Sequence, residues 1–157
     1  MEPSGVGLIL DSSVVIAGER RDHTVRQILE QFKTGYGEIE IGLSVVTIVE
    51  LTHGIQRAGT EERRQRRQAF VDELIRDVPV HPITIETARL AGRVEGGQAA
   101  HGVSIAFEDL LIAATALQLG FGVATGNVRH FQRIPGLNVV KAYGRSASNT
   151  VAPAAPL

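Results

Sequence analysis

Three acidic residues sit inside stretches of sequence that are otherwise apolar, and any fold for this chain must accommodate them. Asp11 ends the run Gly7-Leu8-Ile9-Leu10. Glu50 lies within Val45-Val46-Thr47-Ile48-Val49-Glu50-Leu51, and Asp109 opens Leu110-Leu111-Ile112-Ala113-Ala114-Thr115-Ala116. A carboxylate withdrawn from water is costly unless something pairs with it. No Lys or Arg lies in the immediate apolar flanks of the three. A hard divalent cation, Mg²⁺ or Mn²⁺, can neutralise several such carboxylates at once. The pattern therefore points to metal-assisted phosphodiester chemistry.

Composition narrows the alternatives. The 157 residues suit one domain with a real core. A net charge of -1 rules out a uniformly basic nucleic-acid binder, so charge distribution has to carry any such argument. The absence of cysteine excludes disulfides, iron–sulfur clusters and thiolate zinc, and it fits a reducing cytoplasm. The five histidines show no metal-site spacing. An aromatic content of 4% argues against a platform on which bases stack. Met1-Glu2-Pro3-Ser4 has no basic leader character, and the apolar stretch from Leu110 to Ala124 is too short to span a bilayer. The expectation is a soluble cytoplasmic protein with no membrane partner.

Periodicity supplies an outline. Val6 to Leu10 reads as a buried strand, with Ser12 or Ser13 capping a helix from Val14 to Glu19. A second helix covers Thr24 to Lys33 and ends at Gly35 and Gly37, and Glu40 to Leu43 forms the next strand. Ser44 begins the helix that carries Glu50. Val46, Val49, Glu50 and His53 fall at i, i+3, i+4 and i+7, which places Glu50 on an apolar stripe. Further helices are expected from Glu61 to Asp77 and Thr84 to Glu95, separated by a short strand or turn from Pro79 to Ile83. A loop follows from Gly96 to Val103. Asp109 begins an apolar helix that Gly120 stops. A strand from Gly122 to Thr125, a short helix from Asn127 to Arg133 and a strand from Leu137 to Val140 complete the pattern. Alternating strands and helices imply an α/β fold, a central mostly parallel sheet with helices on both faces. Residues 145–157, rich in Ser, Ala and Pro, read as a disordered tail after a domain spanning 1–144.

In such a sheet, ligands gather at the carboxyl ends of the strands. Asp11 and Thr125 both sit at strand ends in this outline. Four stretches, in order, resemble the PIN-domain family, and within it the VapC-type toxins of toxin–antitoxin pairs. They are Leu8-Ile9-Leu10-Asp11-Ser12-Ser13, Ser44-Val45-Val46-Thr47-Ile48-Val49-Glu50-Leu51, Asp109-Leu110-Leu111-Ile112-Ala113-Ala114-Thr115-Ala116-Leu117 and Ala124-Thr125-Gly126-Asn127-Val128-Arg129-His130-Phe131. The resemblance spans Val6 to Tyr143. It implies a PIN-like three-layer sandwich and a Mg²⁺- or Mn²⁺-dependent endoribonuclease acting on RNA. It also implies a homodimer and inhibition by a cognate antitoxin. Asp11, Glu50 and Asp109 would be its catalytic, metal-binding acids, with Ser13 and Thr125 supporting them. Many relatives carry a further acid in the last motif, where this chain has Asn127 and His130. Those two could support the site but add no fixed negative charge.

Other readings compete residue by residue. Asp11 alone also suits a helix N-cap, and Asp109 alone suits a helix N-terminus. Glu50, in mid-stripe, has no such role. Arg63, Arg64, Arg66 and Arg67 follow Glu61 and Glu62. They read first as a solvated, ion-paired helix face and second, at Arg63, Arg66 and Arg67, as an RNA-contacting rim. His53 reads as a pocket border. At the level of function the rivals are a non-catalytic PIN scaffold that binds RNA or protein, and a phosphoacceptor domain using Asp11. The latter wants a second acid beside Asp11 and a lysine late in the sheet; Ser12-Ser13 supply no acid, and Lys141 is the only late lysine.

Overall fold

Leu8 and Leu10 pack to one side of the first strand and Ile9 to the other, and all three are buried. A strand covered on both faces belongs in the middle of a parallel sheet. The computed structural model, which describes residues 7–142, has that arrangement. Strands β1 (Gly7–Leu10), β2 (Glu40–Ser44), β3 (Val80–His81), β4 (Gly122–Thr125) and β5 (Val139–Lys141) form one sheet in the order β3-β2-β1-β4-β5. Every pairing is parallel. The tail assigned to 145–157 and both ends of the 1–144 domain lie outside the described residues.

Helices complete three layers. On one face lie α1 (Ser12–Arg20), α2 (Val25–Tyr36), α3 (Val45–Gln56) and α4 (Glu61–Asp77). Their Val14, Val15, Ile28, Leu51, Ile55, Val71 and Leu74 share a core with Leu8 and Leu10. On the other, α6 (Phe107–Leu119) sets Ile112, Ala113 and Ala116 against Ile9 and Val123, and α5 (Ile85–Ala100) packs on α6. The short α7 (Val128–Phe131) closes that side with Phe131.

Three local expectations need correction. Neither Ser12 nor Ser13 caps α1; Asp11 holds the N-cap position, and both hydroxyls turn to carboxylates instead. Gly35 lies within α2, which continues to Tyr36 and stops at Gly37. The helix expected to end at Glu95 runs through Gly96 and Gly97 to Ala100. Two helical glycines cost roughly 1 kcal/mol each relative to alanine, but Val94 still packs on α6 and the alanines beyond favour helix. The stop is Gly102, at φ 73°, where the chain adopts the left-handed conformation that ends a helix. Gly120, at φ 71°, stops α6 in the expected way.

Candidate active site

Strand order decides where a cleft forms. From β1 the chain builds outward to β2 and β3, then returns to the opposite edge of β1 for β4 and β5. The connections after β1 and β4 therefore leave in opposite directions, and a crevice opens at their carboxyl ends. Asp11 follows β1 directly, its backbone N–H bonded to Ala124 O of β4 at 2.9 Å. Thr125 is the last residue of β4.

Asp11 is only 4% exposed, and its carboxylate is held by neutral donors. Ser13 Oγ donates to Oδ2 at 2.8 Å and Thr125 Oγ1 donates to the same oxygen at 2.9 Å. Both hydroxyls are themselves positioned, since Gly126 N–H donates to Ser13 Oγ and Asn127 N–H donates to Thr125 Oγ1. The loop after β4 thus fixes the two groups that fix Asp11.

Glu50 is half-buried on α3, and Ser12 Oγ donates to its Oε2 at 2.7 Å. Its proton affinity is raised, first by burial and then by the charges of Asp11, Asp109 and Glu108, against the opposing Ser12 hydrogen bond. Asp109, in the first turn of α6, is also raised. Burial is again the largest cause and repulsion from Asp11 the next, partly offset by His130. His130 Nδ1 lies 3.1 Å from Asp109 Oδ2. The three acids therefore lie close enough to feel one another's charge. Among the described residues no Lys or Arg pairs with any of them. Nor do any three His, Asp or Glu side chains close into a ready-made metal cage. The donor set is nevertheless that of a hard cation, carboxylate oxygens with no counter-charge from the protein. Two of the three acids are under electrostatic pressure that such an ion would relieve.

The remaining candidates are placed as follows. Asn127 is exposed and contributes its backbone, through Thr125, to the support of Asp11. The stripe expected on α3 is displaced by nearly half a turn. Thr47, Leu51 and Ile55 are buried, Glu50 lies at the edge of that face, and Val49 is 68% exposed. His53 is exposed. On α4, Arg64 pairs with Glu61 and Arg66 with Glu62, while Arg67 bridges Glu19 of α1 and Gly54 O of α3. Arg67 is therefore a clamp between helices, and only Arg63 of the proposed rim makes no ion pair among the described residues. Sequence reasoning overlooked Ser12 as the partner of Glu50. It also overlooked Arg129 and Arg133, which line a cavity of about 330 Å³ with Ser104, Asp109 and His130. The first had a signal, a hydroxyl directly beside Asp11; the second becomes visible only when α7 folds against the start of α6.

Comparison with known proteins agrees with this architecture. The family model described as the PIN domain matches residues 8–137. The chain is 33% identical over 135 residues to "Ribonuclease VapC1" of Rickettsia felis, covering 86% of this chain and 96% of that protein. It is 30% identical over 97 residues to the "tRNA(fMet)-specific endonuclease VapC" of Salmonella typhimurium, covering 62% and 71%. The crystal structure of DNA-bound VapBC from Salmonella typhimurium superposes with a TM-score of 0.73 at 25% identity, covering 87% of this chain and 98% of that one. VapBC2 from Rickettsia felis, bound to a promoter DNA fragment, superposes at 0.75 and 18% identity over 87% and 98%.

Proposed function

The chain belongs to the PIN-domain family, among its VapC-type toxins, and on that premise we propose that it is a divalent-cation-dependent endoribonuclease restrained by a cognate antitoxin. The observation that carries this reading is the closeness of Asp11, Glu50 and Asp109, whose charges reach one another while no Lys or Arg pairs with any of them among the described residues. Relatives named as ribonucleases support RNA as the substrate class. Asp11, Glu50 and Asp109 would hold Mg²⁺ or Mn²⁺. When bound, such an ion supplies the positive charge that offsets the carboxylates and the charge developing on the phosphate. The chain's own part is to keep the acids aimed. Ser13 and Thr125 hold Asp11, and Ser12 holds Glu50. No side chain need act as nucleophile: water would attack the phosphorus, one of the two ester P–O bonds would break, and the departing ribose oxygen would take up a proton as the attacking water loses one.

An antitoxin partner is supported by relatives solved as VapBC complexes and by two exposed apolar side chains next to acids of the cleft. Val49 and Phe107 are 68% and 65% exposed on α3 and α6, which pack together. Two such side chains are a point of attachment that a partner's apolar segment could cover. Homodimerisation belongs to the same reading. Among the described residues no helix is long and apolar enough to cross a membrane.

The test is cleavage of structured RNA by the purified protein with Mn²⁺ or Mg²⁺ and its arrest by EDTA. Asp11→Asn, Glu50→Gln and Asp109→Asn should each remove most activity, on the order of a hundredfold or more. Full activity in all three would sink the site. A second reading, a non-catalytic PIN scaffold, is favoured by one feature: His130 already engages Asp109 where relatives carry an acid. RNA binding by the wild type without any cleavage in Mn²⁺ would decide for it.

A further inference from the structure

Arg129 and Arg133 stand four residues apart at α7 and the turn after it, both exposed. Like charges so close in the chain repel, and a bound anion would relieve that repulsion. Among the described residues neither arginine makes an ion pair or a hydrogen bond, whereas Arg64, Arg66 and Arg67 of α4 are all engaged. Both line the cavity that Asp109 borders, and Ser104 adds a hydroxyl to its wall. The helix N-terminus beside it is uncapped, because Ala106 has no side-chain acceptor to offer. The cavity thus sets two unpaired guanidinium groups on the side of Asp109 away from the other acids it feels.

An RNA strand needs both the acids and the guanidinium groups. The scissile phosphate belongs at the carboxylates, with their cation, and the neighbouring phosphates of the backbone need positive charge within a nucleotide's reach. We propose that this cavity is the subsite for an RNA backbone phosphate flanking the scissile one. Arg129 and Arg133 are its guanidinium donors and Ser104 its hydroxyl donor. The inference rests on the RNA-cleaving reading above and adds a direction to it: the strand crosses the α6–α7 side of the cleft, away from α4. Guanidinium forks suit phosphate oxygens, and such groups position a strand without reading its sequence.

The experiment is steady-state cleavage of one RNA by the full chain and by the Arg129→Gln/Arg133→Gln double variant across a range of salt. Arg26→Gln/Arg76→Gln, on the far helices, serves as a charge-matched control. The double variant should raise KM about tenfold with kcat within about a factor of two, since the two guanidinium groups bind the strand without touching the reacting atoms. Its log–log salt dependence should flatten by about 0.7 for each phosphate that the variant leaves unneutralised. The control should change neither. Melting temperatures close to wild type for both establish intact folds. An unchanged KM and salt slope in the double variant, with a wild type that cleaves, overturns this inference alone. A wild type that cleaves no RNA overturns the functional reading and this inference with it. An unchanged KM with a weakened antitoxin complex also overturns it, and assigns the cavity to an acidic segment of that protein.

Discussion

Thr125 shows how much of the site depends on one hydroxyl. It is fully buried, donates to Asp11 and accepts from Asn127 N–H, so it links the end of β4, the loop after it and the acid that follows β1. Thr125→Val keeps the shape and removes a donor from a buried carboxylate. That should lower stability by roughly 2 kcal/mol, the range for a hydrogen bond to a charged group. Urea unfolding would measure it, and a change within about 0.5 kcal/mol would mean that Ser13 alone suffices for Asp11. Asp109 predicts the opposite sign. Burial and the charge of Asp11 disfavour its ionised form more than His130 favours it. In the absence of metal, Asp109→Asn should therefore leave the melting temperature unchanged or raise it. A fall of many degrees would mean that Asp109 is needed to start α6. The three acids stand out in the sequence because each interrupts an apolar run. Their hydroxyl partners are half legible: Ser13 and Thr125 come with the family's motifs, but the local sequence offers Ser12, like Ser13, only as a helix cap.

At the level of elements, sequence and structure agree where one local rule acts alone and part where two compete. Thr24 and Gln27 form a reciprocal capping box at the start of α2, a spacing visible in the sequence. Thr24→Ala should cost about 1 kcal/mol of stability and leave cleavage at its wild-type rate, because the cap faces solvent and bonds to none of the acids. Reduced activity with an unaltered unfolding curve would contradict that separation. Gly120 stopped α6 as expected, but Gly96 and Gly97 did not stop α5. A glycine ends a helix when the next step needs a positive φ, and here only Gly102 takes one. Packing of α5 on α6 outweighs the propensity cost at the other two, and packing is not written in a window of sequence. The α3 stripe failed for a related reason. Val46, Val49, Glu50 and His53 have helical spacing, yet the sheet buries another face through Thr47, Leu51 and Ile55. That offset leaves Glu50 half-exposed at the cleft, where a ligand can reach it. The strand order was beyond the sequence altogether, since it arises from pairing between segments a hundred residues apart, such as Leu10 with Ala124.

For the whole molecule, the raised proton affinities of Glu50 and Asp109 tie stability, acidity and metal together. A carboxyl group whose folded-state pKa lies above its unfolded value binds protons more readily in the native state. Its stabilising contribution is complete below the unfolded pKa and is lost as pH rises through the folded one. The metal-free protein should therefore become more stable as pH falls toward the ordinary carboxylate range, until other carboxylates begin to protonate. Under the proposed function a divalent cation would reverse the trend: it would bind the ionised acids, so its stabilisation would grow as pH rises and they lose their protons. The gap in melting temperature between Mn²⁺-loaded and EDTA-treated protein should thus widen from about pH 5 to about pH 8. Thermal melts in matched buffers would check both slopes. The Glu50→Gln/Asp109→Asn double variant should flatten the metal-free slope and lose most of the Mn²⁺ effect, because it removes both shifted groups and two of the three acids. If the metal-free protein instead loses stability steadily on acidification from neutral pH, Glu50 and Asp109 do not bind protons more readily in the folded state. A widening gap that survives in the double variant would place the cation elsewhere on the molecule.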